Sequence, residues 1–565
     1  MSTSSLSKTN SVEHKEESEP TSEVHSYLGM KGNRLNFCVS CIAGLGFLLF
    51  GYDQGVMGSL LTLKSFRKTF PSIDTGDDNQ HPERATLQGA AIALYEIGCM
   101  FSALSTIYLG DKLGRLRTIF LGAVIMMVGG ALQACAYTLS HLIVARIVTG
   151  LGNGFITATV PVWQAEVAKP EMRGKLIMME GSLIALGITI SYWVDFAFYF
   201  LDGWDTVHQV SWRFPVAFQC IFPIIILPLI LKFPESPRWL LKRKRKHEAR
   251  VVFSALYDLP ENDPLITDQI TEIQQAIDLE IQQGAENFNL RDLVKQGDAR
   301  NFHRTCLAAC SQMMQQITGI NLITYYAGTI FEKYIGMGPL ESRILAACNG
   351  TEYFLASLVA FYTIERFGRR NLMIYGALGQ AFCMAILTGT NWKAIDAKGT
   401  LAGTSAGIAA AVFLFMFNTC FGMSYLGVTW LLPPELLPLQ IRAPGAAIST
   451  ATNWAFNFMV VMITPVAFAN IEAYTYTIFA AINLLMVPVV YYLYPETAGR
   501  SLEEMDIIFN QTPVMQPWKA VQIAKDLPFM HAGVRDPEKG PTTSHFENPS
   551  TTSSIKQNGE ESEVM

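Results

Sequence analysis

Charge is what this chain has least of. Asp, Glu, Lys and Arg make up 16% of its 565 residues, whereas half are hydrophobic. A soluble domain carries about a quarter charged residues, so a water-exposed globule is excluded. The charges fall in short blocks between long apolar runs, the layout of a polytopic membrane protein. No G-x-x-x-x-G-K-S/T segment occurs, which argues against an ATP-driven machine. All ten cysteines lie in or beside apolar runs and read as small buried apolar residues rather than disulfide partners. The sequons at Asn349 and Asn510 fall in an apolar run and in a polar tail, where glycosylation is not expected. No cofactor, metal or nucleic-acid partner is expected either.

Runs of about 20 apolar residues, long enough to cross a bilayer, lie near 35–60, 87–109, 117–136, 140–165, 176–199 and 211–232. A second set lies near 304–331, 342–364, 371–390, 405–432, 441–470 and 474–494. The expectation is an all-α membrane protein with about twelve transmembrane helices. The polar leader does not have the layout of a cleaved signal peptide. Residues 1–30 and 512–565 are rich in Ser, Thr, Glu, Lys and Pro, a composition that stays disordered.

Basic residues set the orientation. Lys112, Arg115 and Arg117 follow the second run, Lys169, Arg173 and Lys175 the fourth, and LKRKRKHEAR the sixth. ERFGRR follows the eighth and Arg442 the tenth, whereas DGWDTVHQV between the fifth and sixth has no Lys or Arg. The first outer loop departs from this, with Lys64, Arg67, Lys68 and Arg84 set against Asp74, Asp77, Asp78 and Glu83. Both termini are therefore expected to be cytoplasmic. The expected layout is a disordered N-terminus 1–34, a six-helix bundle 35–232, a cytoplasmic linker with short helices 233–303, a second six-helix bundle 304–494 and a tail 495–565.

Three motifs recur in the same order. DKLGRLR around Gly114 returns as ERFGRR around Gly368, and PESPR from Pro234 returns as PETAGR from Pro495. QAEVAKPEMRG, with Glu166 and Arg173, returns as PPELLPLQIRA, with Glu435 and Arg442 at the same separation. A parallel repeat of this kind implies two pseudo-symmetric bundles with a site between them near the bilayer midplane. The acid–arginine sets Asp111/Arg115, Glu166/Arg173, Glu235/Arg238, Glu365/Arg369, Glu435/Arg442 and Glu496/Arg500 are expected as charge clamps. Such clamps hold the bundles together in one state and release them in another; the alternative is arginines that only anchor loops at headgroup level.

One charge falls where hydrocarbon penalises it. FLLFGYDQGVMG begins as a membrane helix and then places Asp53 inside the first run, at a cost of about 2.5–3.5 kcal/mol. Gly51, Gly55 and Gly58 around it allow neighbouring backbone to come close. Glu180 and Asp195 are further acids in the fifth run.

The segments GYDQG, LGDKLGRLR, RIVTGLGNG, PVWQAEVA, PESPRWL, QQITGINLITYY, ERFGRR and PETAGRSLEE together resemble the sugar porters of the major facilitator superfamily, over about residues 35–510. PVWQAEVAKPEMRG, EGSLIALG, SYWVDF, WRFPVAFQ and YPETAGRSLEEMDIIF are most similar to fungal glycerol–proton symporters. The resemblance implies a carrier that works by alternating access, not an enzyme. Polyhydroxy substrates call for amides, which donate and accept hydrogen bonds, and for aromatic faces. Gln315, Gln316 and Asn321 in the seventh run match family positions that bind sugar hydroxyls. Residues five apart on a straight helix point about 140° apart, and Gly319 between them offers a place to unwind. Helix–helix glue through buried amides is the alternative.

Trp430 and Asn453 match the family's stacking tryptophan and hydroxyl-binding amide. Trp454 is expected to pack between helices, and Tyr325 and Tyr326 are gate or packing residues. Gly181 stands where many sugar porters carry Gln, and Tyr353 where many carry an amide, with Asn349 one turn away. Both departures suit a smaller or differently posed ligand. Arg146, which opens RIVTGLGNG, matches the arginine that pairs with the first-span acid in proton-coupled porters. Asp53 and Arg146 are thus the expected proton-coupling pair, with a static packing ion pair as the alternative.

The expected function is proton-coupled uptake of a small polyol, glycerol first, or of a sugar, across the plasma membrane, with protons and the lipid bilayer as further partners. The alternatives are a proton-coupled or facilitative hexose or disaccharide carrier, and a nutrient sensor on the same fold; sensors tend to carry much longer tails. Lys8, Lys15 and Lys556 in the Ser/Thr-rich ends suit ubiquitin and kinase machinery.

Overall fold

A computed structural model of the chain describes residues 24–527, except 76–81, 169–172, 204–208, 283–290, 298, 398, 439–440 and 501. Lys8, Lys15, Lys556 and the side chain of Arg173 lie outside the described residues. Lipid offers peptide groups no hydrogen-bond partner, so a chain this apolar satisfies them within helices. Among the described residues the long elements are all helices.

The first half holds α1 (Gly32–Leu60), α2 (Pro82–Leu113), α3 (Arg115–Ala134), α4 (Leu139–Val167), α5 (Arg173–Tyr199) and α6 (Val210–Ile230). In the second half, α7 (Asn301–Ile317) and α8 (Ile320–Thr329) form the seventh crossing. They are followed by α9 (Pro339–Phe367), α10 (Arg369–Asp396), α11 (Leu401–Gly422), α12 (Tyr425–Leu436), α13 (Arg442–Ile471) and α14 (Tyr474–Leu493). Four shorter helices, Pro237–Lys242, Lys246–Tyr257, Pro264–Gln282 and Arg291–Val294, connect the halves.

Counting α11 and α12 as one crossing, 11 helices among the described residues are long and apolar enough to span a bilayer. The runs near 211–232 and 405–432 are interrupted at Gln219–Cys220 and Met423–Ser424, and the run near 304–331 is not a single helix either. It breaks at Thr318 and Gly319, where Gly319 takes φ +94°, a backbone region that side chains resist. All ten cysteines are free. The expectation of burial holds for Cys99 and Cys383; Cys41 and Cys135 are exposed and the other six are half-buried, as suits a thiol apolar enough to sit at a helix surface.

Small residues decide how close the helices come. A Cβ on Gly51 of α1 would collide with the Ile184 carbonyl of α5, and one on Gly187 of α5 with the Leu48 carbonyl of α1. A Cβ on Gly150 of α4 would strike the Tyr95 carbonyl of α2, and one on Gly98 of α2 the Ile147 carbonyl of α4. Between the halves, α13 packs along α2, α9 along α5, and α8 along α1.

The repeated motifs build the same cap twice. Gly114 and Gly368 turn with φ +85° and +79° into α3 and α10. Glu235 accepts from the first backbone N–H groups of α3, Arg115 at 3.1 Å and Leu116 at 3.2 Å. Glu496 does the same for α10, from Arg369 at 2.8 Å and Arg370 at 3.1 Å. These are carboxylates at helix N-termini, where the dipole favours them. Burial pushes the Glu235 carboxyl up from its ordinary range, against the backbone N–H groups and Arg115 that favour its charged form.

Arg115 grips Glu166 with two hydrogen bonds of 2.9 Å and reaches Asp111 at 3.4 Å. Arg369 reaches Glu435 at 3.2 Å and Glu365 at 3.1 Å. Every one of these pairs joins helices of a single half. This differs from the expectation of clamps between bundles: the motifs lie at the ends of neighbouring helices within one repeat, so their partners are local. Arg238 lies near Glu166, Arg442 donates to the Leu437 carbonyl at 3.3 Å, and Arg500 to the Leu527 carbonyl at 2.9 Å.

Two outcomes follow. Gly187→Val, which forces α1 and α5 apart, should cost about 1–3 kcal/mol and lower the melting temperature of the purified protein. Gly389→Ala, in open space, should leave that temperature unchanged. In a double-mutant cycle, Arg115→Leu and Glu166→Leu should each destabilise, while the double variant loses at least about 1 kcal/mol less than their sum.

Candidate functional site

The close approach of α2 and α4 at Gly98 and Gly150 forms one wall of the site. Here Arg146 of α4 donates through Nη1 to Asp53 Oδ2 of α1 at 3.1 Å, and both side chains are fully buried. Nη2 donates to the Ile92 carbonyl at 3.1 Å, and the guanidinium lies 4.7 Å from the centre of the Tyr95 ring. A buried pair offsets its desolvation best through a two-armed fork. This one is single-armed. Tyr95 and Gln133 approach the carboxylate, yet Asp53 Oδ1 and Arg146 Nε have no hydrogen-bond partner.

A second acid stands beside it that the sequence reading passed over. Glu96 of α2 is fully buried, and neither of its oxygens is hydrogen-bonded. It faces Arg146 from α4 and Tyr325 from α8. The available signal was an acid inside the apolar segment ALYEIGCM, as costly there as Asp53.

The break after α7 brings the amides together. Asn321, on the first turn of α8, donates to Gln316 Oε1 and to Asn457 Oδ1 of α13, the latter at 2.7 Å, and accepts from Gln54 of α1. Asn453 donates to Gln315 Oε1 at 2.7 Å and to Gln312 Oε1 at 2.6 Å. Gln315 also donates to the carbonyls of Tyr425 and Leu426 at 3.2 and 3.1 Å. On a continuous helix Gln316 and Asn321 would diverge; the kink turns them toward one another. Gln54, Gln312 and Asn457 were not anticipated. Gln312 and Asn457 each lie one helical turn from an expected amide, and Gln54 adjoins Asp53 in sequence.

These amides border a cavity with an empty volume of about 300 Å³ between the halves. Gln54, Gln315, Gln316, Asn321, Tyr353 and Trp430 all face it. Trp430 meets Phe47 edge-on with ring centres 5.3 Å apart, and its Nε1 has no hydrogen-bond partner. Asn453 lies behind the lining, bonded to Gln312 and Gln315. Trp454 packs between α1 and α2, against Phe50 at 5.0 Å and Tyr95 at 6.0 Å. Tyr326 donates to the Val461 carbonyl at 3.0 Å.

The halves touch on both sides of the cavity. On one side Tyr192 donates to the Thr324 carbonyl, and Gly58 lies against Gly328; on the other, Gly181 lies against Gly427. Asn349, Glu180 and Asp195 are buried and are not among the residues that line the cavity. Among the described residues no group of His, Cys, Asp and Glu has the arrangement of a metal site. Polar groups that donate and accept, with a ring face beside them, suit reversible binding of a hydroxylated solute.

The profile of the family described as "Sugar (and other) transporter" matches residues 38–509. The sugar transporter STL1 of Saccharomyces cerevisiae is 40% identical over 510 residues, covering 89% of this chain and 86% of that protein. The MFS-type transporter oryC of Aspergillus oryzae is 36% identical over 498 residues, covering 88% of this chain and 89% of its own. A solved structure of the proton:xylose symporter XylE, bound to 6-bromo-6-deoxy-D-glucose, superposes with a TM-score of 0.71 at 24% identity, covering 85% of this chain and 100% of that one. XylE is a xylose transporter of E. coli, and at that identity the likeness establishes the fold. The fold and the relatives agree: the chain belongs to the sugar transporter family of the major facilitator superfamily.

Proposed function

We propose that this chain carries a small polyol, glycerol first among them, into the cell across the plasma membrane, driven by protons, with both termini in the cytoplasm. One observation carries the reading: the residue after Asp53 is Gln54. Asp53 pairs with Arg146, while Gln54 reaches Asn321 at the cavity. A shift of α1 that loosens the ion pair therefore moves a ligand-facing amide as well.

The cavity supports a small substrate. Amides and one indole line it between the halves, groups that suit a compact hydroxylated solute. Tyr353 occupies part of the wall where hexose porters offer an amide. The fold is shared with a structure named as a proton:xylose symporter.

Asp53 takes up the proton in this reading, and Arg146 is its conformational partner. Protonation removes the charge that holds the guanidinium, frees its one-armed hydrogen bond and lets the halves rearrange. Gln315, Gln316, Asn321, Trp430 and Asn453 bind or brace the substrate. The charge sets around Arg115 and Arg369 stiffen the ends of each half so that it moves as one body. An inward potential supplies about 2.3 kcal/mol per charge per 100 mV. At about 1.4 kcal/mol per decade, that is enough to concentrate substrate more than tenfold.

The test is uptake of radiolabelled glycerol and glucose by cells lacking their own carriers, with and without a protonophore. Protonophore-sensitive glycerol accumulation is expected. Glucose accumulation without glycerol uptake would contradict the substrate assignment. Asp53→Asn should equilibrate glycerol without concentrating it and without alkalinising the medium; continued accumulation would remove Asp53 from the proton site. Asn321→Ala deletes a group held by four side chains and should raise the KM for glycerol about tenfold or more, at about 1 kcal/mol per lost hydrogen bond.

A further inference from the structure

Arg146 is one cation facing two carboxylates. Asp53 of α1 holds it through Oδ2, while Glu96 of α2 lies alongside with both oxygens unpartnered and no exposure to water. The groups around Glu96 come from four helices: Asp53 from α1, Tyr95 and Cys99 from its own α2, Arg146 from α4 and Tyr325 from α8. Arg146 is the only cation among these neighbours. Two carboxylates and one guanidinium carry a net negative charge, and burial penalises that excess heavily. One proton makes the cluster neutral.

We propose that Asp53 and Glu96 share this one proton and exchange Arg146 between them, with Glu96 the second proton-coupling residue of the carrier. In the arrangement seen here, Asp53 is the anion paired with Arg146, and the proton rests on Glu96. When a proton from the outer side reaches Asp53, Glu96 releases its own proton toward the cytoplasmic side and Arg146 passes to the Glu96 carboxylate, so the cluster holds one proton in each state and one proton has crossed. Neither state leaves a bare buried charge. Arg146 already faces Glu96 from α4.

Glu96 also supplies a link that Asp53 lacks. It faces Tyr325, whose hydroxyl is otherwise unpartnered, across the seam between the two halves. Tyr325 sits on α8 one turn from Asn321, the hub of the cavity amides. When Arg146 changes partner, the charge facing Tyr325 changes from a neutral acid to an ion pair. The seam is altered at the same turn of helix that holds the substrate. Glu96 thereby connects the proton site to the second half, as Gln54 connects it within the first.

This inference rests on proton-coupled uptake, so the test begins with the intact protein in proteoliposomes. Glycerol accumulation is measured under an imposed inward proton gradient, and initial uptake is measured across a range of pH. Glu96→Gln keeps the shape and removes the titration; it should cut accumulation at least about tenfold and flatten the pH dependence of uptake. Glu96→Asp, a carboxylate one methylene shorter, should restore much of the accumulation while moving the pH of half-maximal uptake by about half a unit or more.

Wild-type accumulation with an unchanged pH profile in Glu96→Gln overturns the proposal. Should that variant not yield folded protein, an unshifted profile in Glu96→Asp overturns it equally, since a residue that only packs has no reason to set a titration midpoint. If Asp53→Asn loses accumulation while both Glu96 variants behave as wild type, the proposed function stands and only the sharing fails. If the wild-type protein itself accumulates no glycerol on a proton gradient, the function fails and the inference with it.

Discussion

A guanidinium sealed from water must keep a carboxylate beside it, and much else in this molecule serves that demand. Arg146 is fully buried in α4 and held by Asp53 of α1. Leaving either charge unpaired would cost about 3–5 kcal/mol, so α1 and α4 are not free to part unless the charge is cancelled first. A proton is the smallest thing that cancels it. The packing brings the pair together by removing side chains. Gly150 on α4 and Gly98 on α2 let those helices touch at backbone level, and Gly51 and Gly187 do the same for α1 and α5.

The second half answers with a break. Left continuous, the seventh crossing would point Gln316 and Asn321 in different directions. Gly319 interrupts it, Asn321 begins a new helix, and its amide joins Gln316, Asn457 and Gln54. The network thus spans the seam between the halves, with Gln54 as the only amide among these four from the first. The cavity amides and the buried ion pair consequently meet on adjacent residues of α1, which in the proposed function is a short path for coupling solute to proton.

Much of the fold could be read from residue types. The apolar runs corresponded to helices within a few residues, because in lipid a helix is the only economical answer to a long apolar run. The break in the seventh crossing was only partly legible, since Gly319 could be marked as a weak point but its φ could not be read from the chain. Asp53 was legible because a charge in an apolar run is conspicuous, and Arg146 through the resemblance that RIVTGLGNG carries. Glu96 was equally conspicuous and was missed, because no motif drew attention to it. Gln54, Gln312 and Asn457 were less legible: a lone amide in a span has many neutral uses, and only tertiary contact showed that these three meet the others. The charge sets were legible as a repeat but not in their partners. Which acid an arginine finds depends on how helix ends are arranged, and here Arg115 and Arg369 find theirs in their own halves.

The central claim is that a proton gradient alone moves the substrate uphill. The most direct measurement places the purified protein in sealed liposomes with equal labelled glycerol on both sides and no membrane potential, then acidifies the outside. The account predicts that internal glycerol rises above external glycerol while the interior acidifies in step, and that both changes vanish when a protonophore is added beforehand. Glycerol that stays at its starting ratio through the acid pulse, while still exchanging freely across the membrane, would contradict it.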